Sequence, residues 1–272
     1  MRRLLFGGFV AMLVLVAVAA IMGRTLNTPT PVEAAKSPSG VDTLPIQVYF
    51  PGTKTIQTLP LGEYLKGVVA AEMPSFFATE ALKAQFVVAR TYAVRRMQQF
   101  TGPGRGGCPL EPRADVCADP NTSQDYVSRE DLEKRMGAAA AGEFWSRLDS
   151  LQAETDGQVL RYQSELIDPL YHSVSGTRTE ESGSFFSQSL PYLKSVDDQW
   201  GARPTQVQLR TTAWYTPEQL VDKLGSQVAA VPVVANSVRA GKAPVQIAAY
   251  TESGRVKAVT VLGTTISGRE FR

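Results

Sequence analysis

Residues 4–22 form a run of 19 without a single charged side chain, preceded by Arg2 and Arg3 and closed by Gly23 and Arg24. As a helix rising about 1.5 Å per residue, such a run just spans a hydrocarbon core of roughly 30 Å, so it reads as one transmembrane helix ahead of the folded part. The paired arginines at its front place the N-terminus inside and send the remainder outward. A cleaved signal peptide is the rival reading, with Ala17, Ala19 and Ala20 small enough for a cleavage site, but the run exceeds the usual apolar stretch of about 7–15 residues. On either reading the working part is extracytoplasmic. Residues 25–44 carry Pro29, Pro31, Pro38, Ser37, Ser39 and Gly40 with few large apolar side chains. They read as a tether reaching up to about 60 Å if extended.

The rest, residues 45–272, is sized for one mixed domain. The whole chain has a formal net charge of +2, more than supplied by the three arginines flanking the apolar run. What remains is slightly acidic, which argues against a nucleic-acid surface. Two cysteines and one histidine are too few for a zinc finger or ribbon. Cys108 and Cys117 stand in a Gly/Pro-rich loop at 101–127, where export makes a disulfide the leading expectation, with metal ligation and free thiols the alternatives.

Periodicity predicts a hairpin from 46–50 and 55–59, then helices over 61–73 and 79–100 separated at Pro74. Further helices are expected at 129–136, behind a Ser128 cap, and at 138–155. Strands are expected at 158–162, 166–173 and 192–196, a helix at 216–224, and a closing hairpin from 245–250 and 255–262. Helices and strands come in blocks, which predicts an α+β fold with helices packed on a mainly antiparallel sheet.

Chemistry concentrates in three stretches. In LGEYLKGVVAAEMP, Glu72 lies about 20° from Leu65 and about 40° from Val68 around the helix, on its apolar face. Glu63 points about 180° away, into solvent. Desolvation and the negative end of the helix dipole both favour a protonated carboxyl at Glu72, the state a general acid needs. A partly buried glutamate paired with an arginine is the alternative. In the next helix Gln85 and Arg90 flank the apolar face and are placed to rim a cleft, and Arg90 near Glu72 would favour the ionised carboxylate instead. Lys66, Arg95 and Arg96 read as a solvated face, and Tyr92 as core packing. The third stretch, YHSVSGTRTEESG, presents hydroxyls and amides suited to a polyhydroxylated ligand. His172 is the chain's only histidine, but no G-x-S-x-G elbow accompanies it, and Ser173 falls on the opposite side of any strand, so a Ser/His hydrolase is the weakest reading.

Taken in order, EYLKGVVAAEMP, EALKAQFVVARTYA, ETDGQVLRY, YHSVSGTRTE, PYLKSVDD and ISGREFR resemble the stage II sporulation protein D family. That family includes membrane-anchored lytic transglycosylases that cleave peptidoglycan glycan strands lacking stem peptides, and enhancers of a cell-wall amidase. The resemblance implies that Glu72, in the E-M-P motif, is the catalytic acid. It further implies that Gln85, Arg90, Tyr92, Ser175, Gly176, Thr179 and Glu180 line the glycan cleft, with Glu180 the best second carboxylate if water is the acceptor. Implied partners are peptidoglycan glycan strands, the membrane through residues 4–22, and a cell-wall amidase. Two departures stand out. Where some members bind zinc through His and Cys, this chain has Thr122 and Ser123, so no zinc or other cofactor is expected and Cys117 is left to pair with Cys108. The sequence also stops at Arg272, short of the helix and tail with which the family continues, which would leave the domain clipped.

Overall fold

In β2 (Pro45–Phe50) the side chains of Ile46 and Val48 point inward and are fully buried, while their neighbours are exposed or half-buried. That alternation is what a strand with one face on a core requires. A computed structural model describes residues 32–36, 40–97, 107–172, 174–186, 188–198, 212–224 and 231–271. They divide into two compact units, Met1–Pro169 and Leu170–Arg272. The α+β class expected from the sequence holds, and among the described residues the strands form three small sheets where one mainly antiparallel sheet was expected.

The first unit begins with β1 (Glu33–Lys36), followed by β2 and β3 (Thr55–Pro60). β2 and β3 pair antiparallel as a hairpin, and β4 (Val116–Cys117) adds to β2 in parallel. Next come α1 (Leu61–Glu72) and α2 (Thr79–Arg96). α1 ends where Pro74 forces the preceding Met73 into an extended conformation, φ −130° and ψ 129°. α1 is the central element, with Leu61, Tyr64, Leu65, Val68 and Val69 all buried. After α3 (Arg129–Met136), capped by Ser128 through the Asp131 N–H at 3.0 Å, α4 (Ala138–Glu154) covers α1 with Ala141, Phe144, Trp145, Leu148 and Leu151. Their three- and four-residue spacing is that of one helical face. β5 (Gln158–Tyr162) and β6 (Glu165–Leu166) close the unit.

The segment read as a tether is partly built into this unit. β1 pairs antiparallel with β5, and Val41 and Asp42 are buried. The reason is Arg90. Its side chain is 0% exposed, and Nε and Nη2 each donate to Asp42 at 2.7 Å. Nη1 donates to the Gln158 carbonyl at 3.2 Å, and Gln152 adds a third donor to Asp42 at 2.9 Å. A buried guanidinium needs such a fork. Asp42, Arg90 and Gln152 thereby tie the entry segment to α2, β5 and α4. Gly62 makes room for the third member, because a Cβ there would lie 2.5 Å from Gln152 Nε2.

Lys66, expected on a solvated face, is 4% exposed. Asp149 at 2.5 Å and Glu63 at 2.6 Å balance it. Burial acts to lower its pKa, but these two carboxylates outweigh that and raise it. Cys108 and Cys117 form a disulfide, packed with Ala114, Tyr49 and Ile56.

In the second unit α5 (Ser182–Phe185), α6 (Pro217–Leu224) and α7 (Val231–Arg239) precede an antiparallel sheet of β7 (Val245–Tyr250), β8 (Val256–Val261) and β9 (Thr264–Ser267). Val234, Val259 and Val261 form its small core. The short α8 (Gly268–Phe271) is set by a capping box: Ser267 Oγ accepts the Glu270 N–H at 3.1 Å while Glu270 accepts the Ser267 N–H at 2.9 Å. Of the strand expected at 166–173 only its start is in β6, and 192–196 is not a strand. The apolar run at 4–22 lies outside the described residues, among which no helix is long and apolar enough to cross a membrane.

Two outcomes follow for stability. Asp42→Ala strands a buried guanidinium and should lower unfolding stability by about 3–5 kcal/mol, whereas replacing Asp42 and Arg90 together by apolar residues of similar volume should cost much less. Denaturant unfolding of the two variants compares them directly. Reduction of the disulfide, which closes a loop with a sequence separation of 9, should cost roughly 2.5–3 kcal/mol on the chain-entropy model, read as a lower denaturation midpoint in reductant.

Candidate functional site

Glu72 is the last residue of α1, and its side chain is half-buried. Oε1 accepts the backbone N–H of Asp125 at 3.1 Å. Among the described residues Oε2 has no hydrogen bond and the side chain makes no ion pair, so the arginine-paired alternative does not describe it. One oxygen is thereby fixed.

The loop that delivers the Asp125 N–H is held from several sides. Ala118 N–H donates to the Tyr49 carbonyl at 2.8 Å, continuing the β2–β4 edge, and Val127 N–H donates to the Gly67 carbonyl at 3.1 Å. Tyr126 stacks on Tyr64, with centroids 5.9 Å apart and planes at 6°, and meets Phe50 edge-on at 5.4 Å. Such contacts need α1 to be narrow where the loop crosses it. A Cβ at Gly67 would lie 2.2 Å from the Tyr126 ring and 2.8 Å from the Val127 carbonyl oxygen. Only glycine permits this approach without moving the loop. Next to Asp125, Gln124 is 1% exposed, and its Oε1 accepts the Tyr64 hydroxyl at 3.4 Å.

The other residues expected around Glu72 divide. Gln85 is 9% exposed, and its Nε2 is a buried donor with no hydrogen bond among the described residues. Arg90 does not rim a cleft, because its donors go to Asp42 and Gln158. Tyr92 is 7% exposed and belongs to the main core, with the Arg96 guanidinium 3.4 Å from its ring centroid. Its packing role is the one the helical spacing suggested, and it is not open to a ligand.

Ser175, Gly176, Thr179 and Glu180 lie in the second unit, where two of the sequence motifs run side by side. Thr179 N–H donates to the Val196 carbonyl at 2.8 Å, and Asp198 N–H to the Thr177 carbonyl at 2.8 Å. Gly176, with φ +75°, makes the turn. Ser175 Oγ donates to Asp198 and its carbonyl accepts Arg255 Nη2. His172 is exposed, Ser173 lies outside the described residues, and no hydrogen bond joins His172 to Ser175. Glu180 accepts from Thr251 at 2.8 Å and from Ser253, with Arg255 at 3.7 Å. Burial works to raise the Glu180 pKa, but hydrogen bonds from Ser253, Thr251 and Ser184, with the Arg255 charge, outweigh it and hold the group below the usual glutamate value. Arg255, which gathers this cluster, was invisible to motif reading because it sits in a hairpin turn far along the chain.

At the two positions where zinc ligands were compared, Thr122 Oγ1 donates to Asp119 at 2.9 Å and Ser123 Oγ accepts the Cys117 N–H at 3.2 Å. The Cys117 sulfur is in the disulfide.

Residues 49–162, which include Glu72 and the loop that holds it, match the family model described as stage II sporulation protein. The chain is 30% identical over 248 residues to the stage II sporulation protein D of Bacillus subtilis, covering 89% of this chain and 67% of that protein. The corresponding protein of Bacillus amyloliquefaciens is 30% identical over 251 residues, covering 92% and 67%. The amidase enhancer of Bacillus subtilis is 33% identical over 135 residues, 49% of this chain and 15% of that protein. Since the first two likenesses run through both compact units, the chain belongs to the stage II sporulation protein D family.

Proposed function

We propose that this protein is a lytic transglycosylase of the cell envelope, cleaving peptide-free glycan strands of peptidoglycan between N-acetylmuramyl and N-acetylglucosaminyl units. The observation that carries the reading is Glu72 itself, half-buried at the end of α1, with one oxygen held by the Asp125 N–H and no hydrogen bond to the other among the described residues. Protonated Glu72 donates to the glycosidic oxygen, the bond from that oxygen to the muramyl C1 breaks, and oxocarbenium character develops at C1. The carboxylate left behind takes the proton of the muramyl 6-hydroxyl as O6 bonds to C1. A 1,6-anhydro end forms and Glu72 is protonated again. One essential carboxylate suffices, where water as acceptor would need a second.

No step runs through zinc, for which a disulfide-bonded sulfur and two hydroxyls make an unsuitable donor set. An extracytoplasmic site, with residues 4–22 as the anchor and the N-terminus inside, is supported by the arginines before that run and by the disulfide. The likeness to the amidase enhancer favours a second reading, a non-catalytic glycan-binding module that assists a cell-wall amidase.

Mass spectrometry of strands incubated with the full chain separates the two. Glu72→Gln should keep the fold and abolish 1,6-anhydro-muramyl ends. Equal product from that variant removes Glu72 from the mechanism, and binding without any product in the unsubstituted protein favours the enhancer. Gly67→Ala should slow cleavage by up to about 100-fold, since the loop must retreat from α1 and withdraw the Asp125 N–H. Initial rates set against the circular dichroism of the same sample check that the loss is not unfolding.

A further inference from the structure

Directly after Glu72 the chain exposes two aromatic rings in succession. Phe76 is 63% exposed and Phe77 37%. Their centroids are 5.5 Å apart with planes 15° from parallel. The backbone beneath them is clamped from α4. Arg147 Nη1 donates to the Ser75 carbonyl at 2.8 Å, and Nη2 donates to the Phe77 carbonyl at 2.9 Å and to Thr79 Oγ1 at 3.1 Å. Pro74 stiffens the entry, and its carbonyl accepts the Phe77 N–H at 3.1 Å. A pinned turn that holds two apolar rings partly in water forgoes hydrophobic burial.

Resting on the glycan-cleaving reading of Glu72, we propose that Phe76 and Phe77 form a sugar-stacking platform that seats a pyranose ring of the strand beside the scissile bond. The apolar face of a pyranose presents C–H groups whose weak positive charge matches the negative face of an aromatic ring. Phe76 lies four positions after Glu72, a reach of at most roughly 14 Å, which is the span of a few sugar units. A ring pair held this near the acid, by a clamp independent of Glu72, orients the strand at no ordering cost when it binds. Charge argues against a lipid surface as the occupant. Between Glu72 and Lys83 the chain carries no cation, and the Arg147 guanidinium is turned onto carbonyls, whereas aromatic membrane anchors sit among basic residues.

The test uses the full chain carrying Glu72→Gln, so that binding is read without turnover, and peptide-free glycan strands as the probe in titration calorimetry. Phe76→Ala/Phe77→Ala should weaken strand binding at least tenfold, and Phe76→Trp/Phe77→Trp should restore it. With Glu72 intact, the double alanine variant should raise KM by a similar factor and leave kcat within about twofold. Strand binding unchanged by the alanine pair overturns the platform and leaves the glycan reading standing. Rings that bind strands in a protein that never cleaves them would confirm the platform while defeating the transglycosylase. Strands that fail to bind even the Glu72→Gln parent overturn both. Unchanged strand binding together with lost sedimentation on phosphatidylglycerol and phosphatidylethanolamine vesicles would assign the rings to a lipid surface and overturn the proposal.

Discussion

A guanidinium with no access to water dictates much of the first unit. Arg90 sits wholly inside, and a buried charge is tolerable only if its donors are met. Asp42 meets two of them and the Gln158 carbonyl a third. The carboxylate comes from the segment before β2 and the carbonyl from the start of β5. One side chain therefore fixes where the entry segment, α2 and β5 lie. Thr91, the next residue, repeats the link in neutral form, its hydroxyl accepting the Leu160 N–H at 2.9 Å. With α2 so placed, α1 is confined between it, α4 and the β2–β3 hairpin, and the position of Glu72 at the end of α1 is a consequence.

Confinement of α1 alone would leave the Glu72 side chain free to turn. What limits it is the loop after β4, and that loop depends on two features of different kind. The disulfide and the short parallel pairing to β2 fix where the loop starts, while Gly67 fixes how closely it returns to α1. Both lie away from the carboxylate they position. Substitutions at either act through the Asp125 N–H, which makes the geometry of Glu72 a property of the loop as much as of its own helix.

Local signals made the central helices legible. The apolar spacing of α1, the break at Pro74 and the Ser128 cap are all short-range and all present in the structure. Long-range pairing was not legible in the same way. A helical wheel puts Arg90 beside the apolar face, but it cannot see a carboxylate 48 residues earlier in a stretch whose prolines and serines suggest a tether. Strand β1 was missed for that reason too, since four residues reading EAAK have little strand propensity and owe their conformation to β5. The parallel partner β4 is only two residues long, below what any periodicity detects. Gly67 and the clamp from Arg147 have no motif at all, because each works by making room or by binding carbonyls that could belong to any sequence.

The second unit bears on which acceptor the proposed chemistry would use. Water as acceptor requires a carboxylate with an open lone pair and an affinity for protons near the working pH. Glu180, the best candidate by resemblance, fails the second condition. Thr251 and Ser253 already donate to it and Arg255 stands close by, and its pKa is held below the ordinary value even though burial pushes the other way. Such a group is built to stay ionised and to organise the hydroxyls around it. An acceptor that brings its own proton to a carboxylate already in place escapes the difficulty. The muramyl 6-hydroxyl is such an acceptor and, in the proposed reaction, Glu72 is such a carboxylate, so the demands of that chemistry favour ring closure over hydrolysis.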